Sequence, residues 1–159
     1  MTEPSPADHI TLADRIALGD LVHRYAALVD DGDFTALGAL FTADAVLRQP
    51  RPPKETAPVD VVGGREAIVR NFARLDGLRA TQHAMVGTVF TAGPPGQAWG
   101  RVACIAHHVS GPDERLVDHA WHLTYEDSYR RADDAWLIAG RTLRLGWIEK
   151  RTVGVLRPR

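Results

Sequence analysis

Three side chains of the sequence could move protons or stabilise negative charge, and each lies in an apolar stretch. Asp30 lies near the end of a helix-like segment, in ALVDDGD, where the helix dipole disfavours a carboxylate. His83 lies in the strand-like segment RATQHAMVGT, and Arg141 lies in AWLIAGRTLRLGW. Carboxylate, imidazole and guanidinium groups serve general acid–base catalysis and oxyanion stabilisation. Because buried charges need partners, these residues either form structural pairs or face a cavity.

Each of these residues also has a purely structural interpretation, which the sequence leaves open. Asp30 could be a solvated turn residue, since aspartate is mostly exposed. His83 could be a core histidine with satisfied ring nitrogens, and Arg141 could be a buried ion pair or a snorkelling side chain. Tyr25 precedes Asp30 by five residues, about 140° around an ideal helix. It therefore belongs to the core or borders a cavity at the helix end.

Strand periodicity predicts the neighbours of these residues. The predicted face of His83 contains Thr81, Met85, Gly87 and Val89, and that of Arg141 contains Leu137, Ala139, Leu143, Leu145 and Trp147. His107 and His108 are adjacent on a strand, so one points inward and the other outward. No histidine pair has metal-ligand spacing, and the HExxH, GxSxG and phosphate-loop motifs do not occur. We therefore expect no metal and no nucleotide.

Length and composition place the chain among globular proteins of one domain. It has 159 residues, of which 45% are hydrophobic and 25% charged, and its formal net charge is -1. The charge balance argues against nucleic-acid binding, and no apolar run is long enough to span a membrane. One cysteine, Cys104, excludes an internal disulfide, and the N-terminus does not read as a signal peptide. We expect a cytoplasmic protein.

The elements follow from periodicity and turn residues. We predict a flexible lead-in over 1–9, one domain over 10–149 and a tail over 150–159. Within the domain the order is a helix from about 11 to 31, a short helix over 34–41, a strand over 43–49, a loop over 50–64, a helix over 64–75 and four strands. Helices followed by a meander predict an α+β fold in which a curved antiparallel sheet wraps three N-terminal helices around an internal cavity.

This order and several segments resemble the SnoaL-like branch of the NTF2-like superfamily. The similar segments are DLVHRYAALVDDGDFTALGALFTADAVL, ATQHAMVGT and YEDSYRRADDAWLIAGR, within about residues 10–147. Scytalone dehydratase, lindane dehydrochlorinase and bile acid 7α-dehydratase belong to this branch and use an Asp–His pair. The resemblance implies that Asp30 and His83 form that pair, with Tyr25 and Arg141 as polar assistants. It also implies that His107 or His108 contacts the substrate.

The resemblance implies a lyase without a cofactor, a dehydratase or cyclase. Its substrate would be a small hydrophobic hydroxy or keto compound in an internal cavity, of polyketide or other secondary metabolism. Met85, Trp121 and Trp147 are further candidate contacts, and a homo-oligomer, a dimer or trimer, is expected. An isomerase and a non-catalytic ligand-binding or scaffold module of the same fold remain open alternatives, because one superfamily hosts many functions.

Overall fold

Helix α1 (Leu12–Asp31) begins and ends where the sequence supplies its caps. The computed structural model describes residues 10–154, so the predicted lead-in 1–9 and the last part of the predicted tail lie outside the described residues. The Thr11 hydroxyl accepts a hydrogen bond from the backbone N–H of Asp14, whose side chain returns to Thr11, completing a capping box. Gly32 ends the helix with a left-handed backbone, at φ 73°.

Two shorter helices complete the helical layer. Asp33 caps α2 (Phe34–Gly38) by accepting a hydrogen bond from the backbone N–H of Ala36, as the sequence predicts. Helix α3 (Arg65–Phe72) continues into a short 3-10 helix over Ala73–Gly77. Each of the three helices has a fully buried apolar residue in the core, Leu18 in α1, Leu37 in α2 and Ile68 in α3.

One curved, open sheet of six strands packs on the helices. Its strands are β1 (Phe41–Arg51), β2 (Glu55–Gly63), β3 (Ala80–Ala92), β4 (Gln97–Ser110), β5 (Leu116–Ala132) and β6 (Ala135–Val153). The spatial order is β2-β1-β6-β5-β4-β3, and all neighbours are antiparallel except β1 and β6, which are parallel. Strand β6 continues to Val153, past the predicted domain boundary at 149.

The prediction of a loop over 50–64 is wrong, because most of this segment forms strand β2. The prolines of the segment indicated a loop, but proline is compatible with an edge strand, where one row of backbone groups has no partner. Strand β2 is such an edge, and it pairs with β1 through registers such as Leu47 with Val62. The register shifts between Gln49 and Arg51, so the ladder is interrupted where Pro50 and Pro58 would break it.

At three β-bulges the side chains point to the opposite face from the one that a strict period of two predicts. The first lies between Met85 and Gly87 in β3, and beyond it Phe90 is buried while Val89 is 63% exposed. The others lie in β6, at residue 139 and at residue 146. Because each bulge inserts one extra residue, the side chains that follow it change face. The buried face of Arg141 therefore includes Trp136 and Ile138 rather than Leu137 and Ala139.

No helix among residues 10–154 is long and apolar enough to cross a membrane.

Replacement by alanine should change the free energy of unfolding in opposite directions at two glycines, one inside α1 and one at its C-terminal cap. Gly32→Ala should lower the free energy of unfolding by about 1 kcal/mol, because an L side chain is strained at its positive φ. Gly19→Ala should raise it by about 0.5 to 1 kcal/mol, because Gly19 lies inside the helix and a Cβ there meets open space. Urea unfolding curves of the two variants measure both changes. Shifts of the same sign would contradict this account of the helix end.

Candidate functional site

Asp30 and His83 are joined by two hydrogen bonds. Asp30 Oδ1 lies 2.7 Å from His83 Nδ1, and Asp30 Oδ2 accepts the backbone N–H of His83 at 2.7 Å. Strand β3 is the second edge of the sheet, so this N–H has no neighbouring strand to bind. The carboxylate therefore satisfies a free edge group and orients the imidazole at the same time.

The environment keeps Asp30 ionised. Burial alone raises the pKa of a carboxyl group, but the hydrogen bonds from the ring and backbone of His83 outweigh it and hold the pKa of Asp30 below its ordinary value. A further hydrogen bond from Thr81 acts in the same direction. An ionised Asp30 favours the tautomer in which His83 Nδ1 carries the proton, so His83 Nε2 holds the lone pair.

His83 lines a cavity of about 200 Å³ between the sheet and the helices. Much of its wall is apolar, with the side chains of Leu47, Phe72, Leu75, Ala106, Leu123 and Leu143. The hydroxyl-bearing rings of Tyr25 and Tyr125 and the aromatic side chains of His108 and Trp121 complete the inner part. The cavity therefore offers a few polar groups in an apolar enclosure, as small-molecule sites do.

His108 is the member of the adjacent histidine pair that faces the cavity. Its ring centroid lies 5.9 Å from that of His83 and 5.1 Å from that of Trp121. Burial, reinforced by the charge of a protonated His83, lowers the pKa of His108 to about 4. Its imidazole is therefore neutral near pH 7, where a neutral ring can both donate and accept a hydrogen bond.

Arg141 lies behind the cavity wall and is fully buried. Its guanidinium forms two hydrogen bonds to Asp127, at 2.8 and 2.6 Å. The guanidinium carbon lies 4.0 Å from the ring centroid of Tyr25 and 4.1 Å from that of Tyr125. Tyr129 donates its hydroxyl hydrogen to Asp127 at 2.7 Å. Arg141 is thus a paired charge that holds two tyrosine rings from behind, and it is not among the cavity-lining residues.

Tyr25 contacts the buried guanidinium of Arg141 and also lines the cavity. Its side chain lines the cavity and is 2% exposed. Burial raises the pKa of Tyr25, although the Arg141 guanidinium opposes this effect, so the hydroxyl stays protonated and can donate a hydrogen bond.

Three predicted substrate contacts lie away from the cavity. His107 points to the outer face of the sheet, where its Nδ1 lies 2.7 Å from Asp118. Trp147 is 60% exposed and stacks on His122 on the outer face, because the bulge at residue 146 reverses the expected alternation. Met85 packs against the core beside the bulge of β3 and does not line the cavity.

The sequence reasoning missed several lining residues. Tyr125 lies four residues after Trp121 on the same strand, so a period of two would have placed both on one face. Gln49 and Asn71 form a reciprocal pair of amide hydrogen bonds at 3.1 and 3.0 Å. No sequence signal marks that pair, since its members lie on β1 and α3. In the described part of the chain, no group of three or more His, Cys, Asp or Glu side chains is placed to hold a metal ion.

Comparisons with known proteins agree with this fold. The SnoaL-like domain family matches residues 11–142. A provisionally named scytalone dehydratase from Novosphingobium aromaticivorans is 21% identical over 87% of each chain, with a TM-score of 0.75. The LinA-type3 hexachlorocyclohexane dehydrochlorinase of Novosphingobium barchaimii is 17% identical over 92% of this chain and 97% of its own, with a TM-score of 0.72. No curated protein sequence matches the chain. These similarities confirm the predicted α+β cone.

Acid should destabilise the protein partly through His108. The folded protein binds the His108 proton only near pH 4, whereas an unfolded histidine binds it near pH 6.5. Stability from this group is therefore complete above about pH 6.5 and is lost as the pH falls towards 4, by about 1 to 3 kcal/mol. His108→Gln lacks this loss, so its unfolding free energy should fall less than that of the wild type across this interval. Parallel urea-unfolding curves against pH would contradict the assignment.

Two arginines of β6 should differ sharply in their contribution to stability. Arg141→Met should lower the unfolding free energy by about 3 to 5 kcal/mol, because it leaves the buried Asp127 carboxylate uncompensated. The control Arg144→Met removes an arginine that pairs with Glu126 where both side chains are 54% exposed, and should cost less than about 1 kcal/mol. Equal losses in thermal or urea unfolding would show that Arg141 is not the buried anchor described above.

Proposed function

Since this chain belongs to the SnoaL-like domain family, we propose that it is a lyase that needs no cofactor and eliminates water from a small hydroxy ketone. The observation that carries the proposal is the contact between Asp30 and His83 beside an apolar cavity. An oriented imidazole that faces a largely apolar cavity can act as a general base.

In the proposed reaction, His83 removes a proton from the carbon next to the substrate carbonyl. The electron pair of that C–H bond moves into the carbonyl to give an enolate. When the enolate collapses, a carbon–carbon double bond forms and the bond to the β-hydroxyl breaks. The leaving oxygen takes the proton of the His83 imidazolium, either directly or through Tyr25, whose hydroxyl hydrogen is then replaced from the imidazolium, so water departs. Asp30 stabilises the transient imidazolium without itself taking the proton.

Tyr25 and His108 supply the hydrogen bonds for the developing oxyanion. Both line the cavity with His83, and the ring centroids of Tyr25 and His83 are 6.3 Å apart. A preorganised donor stabilises negative charge more strongly in an enclosed site than in water. Arg141 acts as a positioning residue, because it contacts the Tyr25 ring from behind rather than the cavity. Trp121 provides an aromatic wall for the substrate.

The wall composition limits the substrate to a compact, mostly apolar molecule. A volume of about 200 Å³ accommodates one or two fused rings rather than a long chain. We therefore propose a cyclic hydroxy ketone, for which ring aromatisation after loss of water would drive the reaction forward.

The elimination can be followed with 3-hydroxy-α-tetralone, which loses water to give α-naphthol with a large change in ultraviolet absorbance. Asp30→Asn and His83→Gln should each lower kcat/KM by about 10²- to 10⁴-fold, the usual contribution of a positioned general base. Asp31→Asn is the matched control, because Asp31 is the exposed neighbour of Asp30. Its kcat/KM should stay within about twofold of the wild type. Folded dyad variants with wild-type turnover would refute the proposal.

Proton abstraction can be measured separately from elimination. The protein should accelerate hydrogen–deuterium exchange next to the carbonyl of β-tetralone, followed by NMR in deuterated water, and His83→Gln should abolish the acceleration. Exchange without any elimination from the hydroxy ketone would favour an isomerase. Absence of both reactions, with binding retained, would favour a ligand-binding module.

A further inference from the structure

We propose that the natural substrate carries an acidic group, a carboxylate or a similar anion, which Arg74 binds at the mouth of the cavity. This inference rests on the proposed function, because it assigns the substrate class of the same site. The acidic group would lie at the end of the substrate that does not react. Arg74 would determine specificity and would take no part in proton transfer.

The permanent charge on the described cavity wall is positive. Among residues 10–154, no aspartate or glutamate lines the cavity, and Arg74 is the one permanently charged lining residue. Arg74 is exposed, whereas His83 and Tyr25 are 9% and 2% exposed. The guanidinium therefore marks the opening, and the proposed reacting groups mark the inner end.

Arg74 differs from most arginines of this protein in having no acidic partner. Eight arginines of the described chain form ion pairs: Arg51, Arg70, Arg79, Arg130, Arg131, Arg141, Arg144 and Arg151. Arg74 makes neither an ion pair nor a side-chain hydrogen bond with any residue in 10–154. Its five N–H donors, arranged in a planar fork, are available to a carboxylate that enters the cavity.

Two amides beside Arg74 extend this donor surface. Gln49 and Asn71 both line the cavity, and each uses one N–H and its carbonyl oxygen in their mutual pair. Each amide therefore retains one N–H for a ligand. Asn71 lies three residues before Arg74, at the end of α3, so one short segment of chain presents both side chains. The amide pair fixes the α3 end against β1 and thereby the position of this donor group.

Apolar side chains also line the cavity. Leu47, Phe72 and Leu75 offer apolar contacts without hydrogen-bonding groups. A molecule that satisfies the whole wall has an oxygen-bearing reactive end, an apolar body and an anionic end. The substrate that fits this wall is a hydroxy ketone that also carries an acidic group.

Equilibrium binding of two matched probes tests this inference independently of turnover. Para-coumarate and para-coumaramide share the phenol and the apolar body and differ in the charge of the terminal group. Isothermal titration calorimetry should show that the wild type binds the carboxylate about fivefold more tightly than the amide, typical of one partly exposed ion pair. High salt should reduce this preference, because it screens exposed charges.

Variants of Arg74 should remove the preference selectively. Arg74→Gln should bind both probes with the affinity that the wild type has for the amide, and Arg74→Glu should favour the amide. The control is Arg70→Gln, which removes the same charge from the neighbouring helical turn, where Arg70 pairs with Glu66 and does not line the cavity. It should keep the fivefold preference. Equal binding of the two probes by the wild type, or a preference that survives in Arg74→Gln, would overturn the inference.

Failure of this inference and failure of the proposed function give different results. If only the charge recognition is wrong, Asp30→Asn and His83→Gln still lose turnover while the probes bind equally. If only the dyad chemistry is wrong, those variants keep wild-type turnover while the carboxylate preference and its dependence on Arg74 persist.

Discussion

The double contact of Asp30 with His83 is the constraint on which the site depends. A carboxylate at the end of α1 faces an unfavourable helix dipole, and two hydrogen bonds from one residue compensate for it. The same contact ties the helix to an edge of the sheet that no other strand covers. The same two hydrogen bonds therefore orient the imidazole and attach the end of α1 to β3.

A second charge pair supports two tyrosines of the cavity wall. Arg141 and Asp127 are fully buried, and the guanidinium lies between the rings of Tyr25 and Tyr125. Placing a cation against the ring faces immobilises two hydroxyl-bearing side chains without occupying cavity volume. The two pairs differ in what they hold: Asp30 orients a group that can react, whereas Arg141 orients the wall around it.

The sequence predicted the fold class, the caps of α1 and α2 and the four long strands, because local patterns encode these features. The pairing of Asp30 with His83 followed from resemblance, since residues 53 positions apart carry no local signal of contact. The outward direction of Trp147 and the neighbours of Arg141 could not be predicted, because a bulge shifts strand alternation and has no marker in a single sequence. Strand β2 was missed because its prolines indicate a loop unless the strand is known to lie at an edge.

The main-chain half of the Asp30 contact has an evolutionary consequence. The backbone N–H of residue 83 would hold the carboxylate with any residue except proline at this position. The contact between α1 and β3 therefore does not depend on the reactive side chain. Evolution can replace the imidazole with another group while this backbone hydrogen bond is kept. A scaffold of this kind can diversify its chemistry by single substitutions while the helix and the strand stay joined.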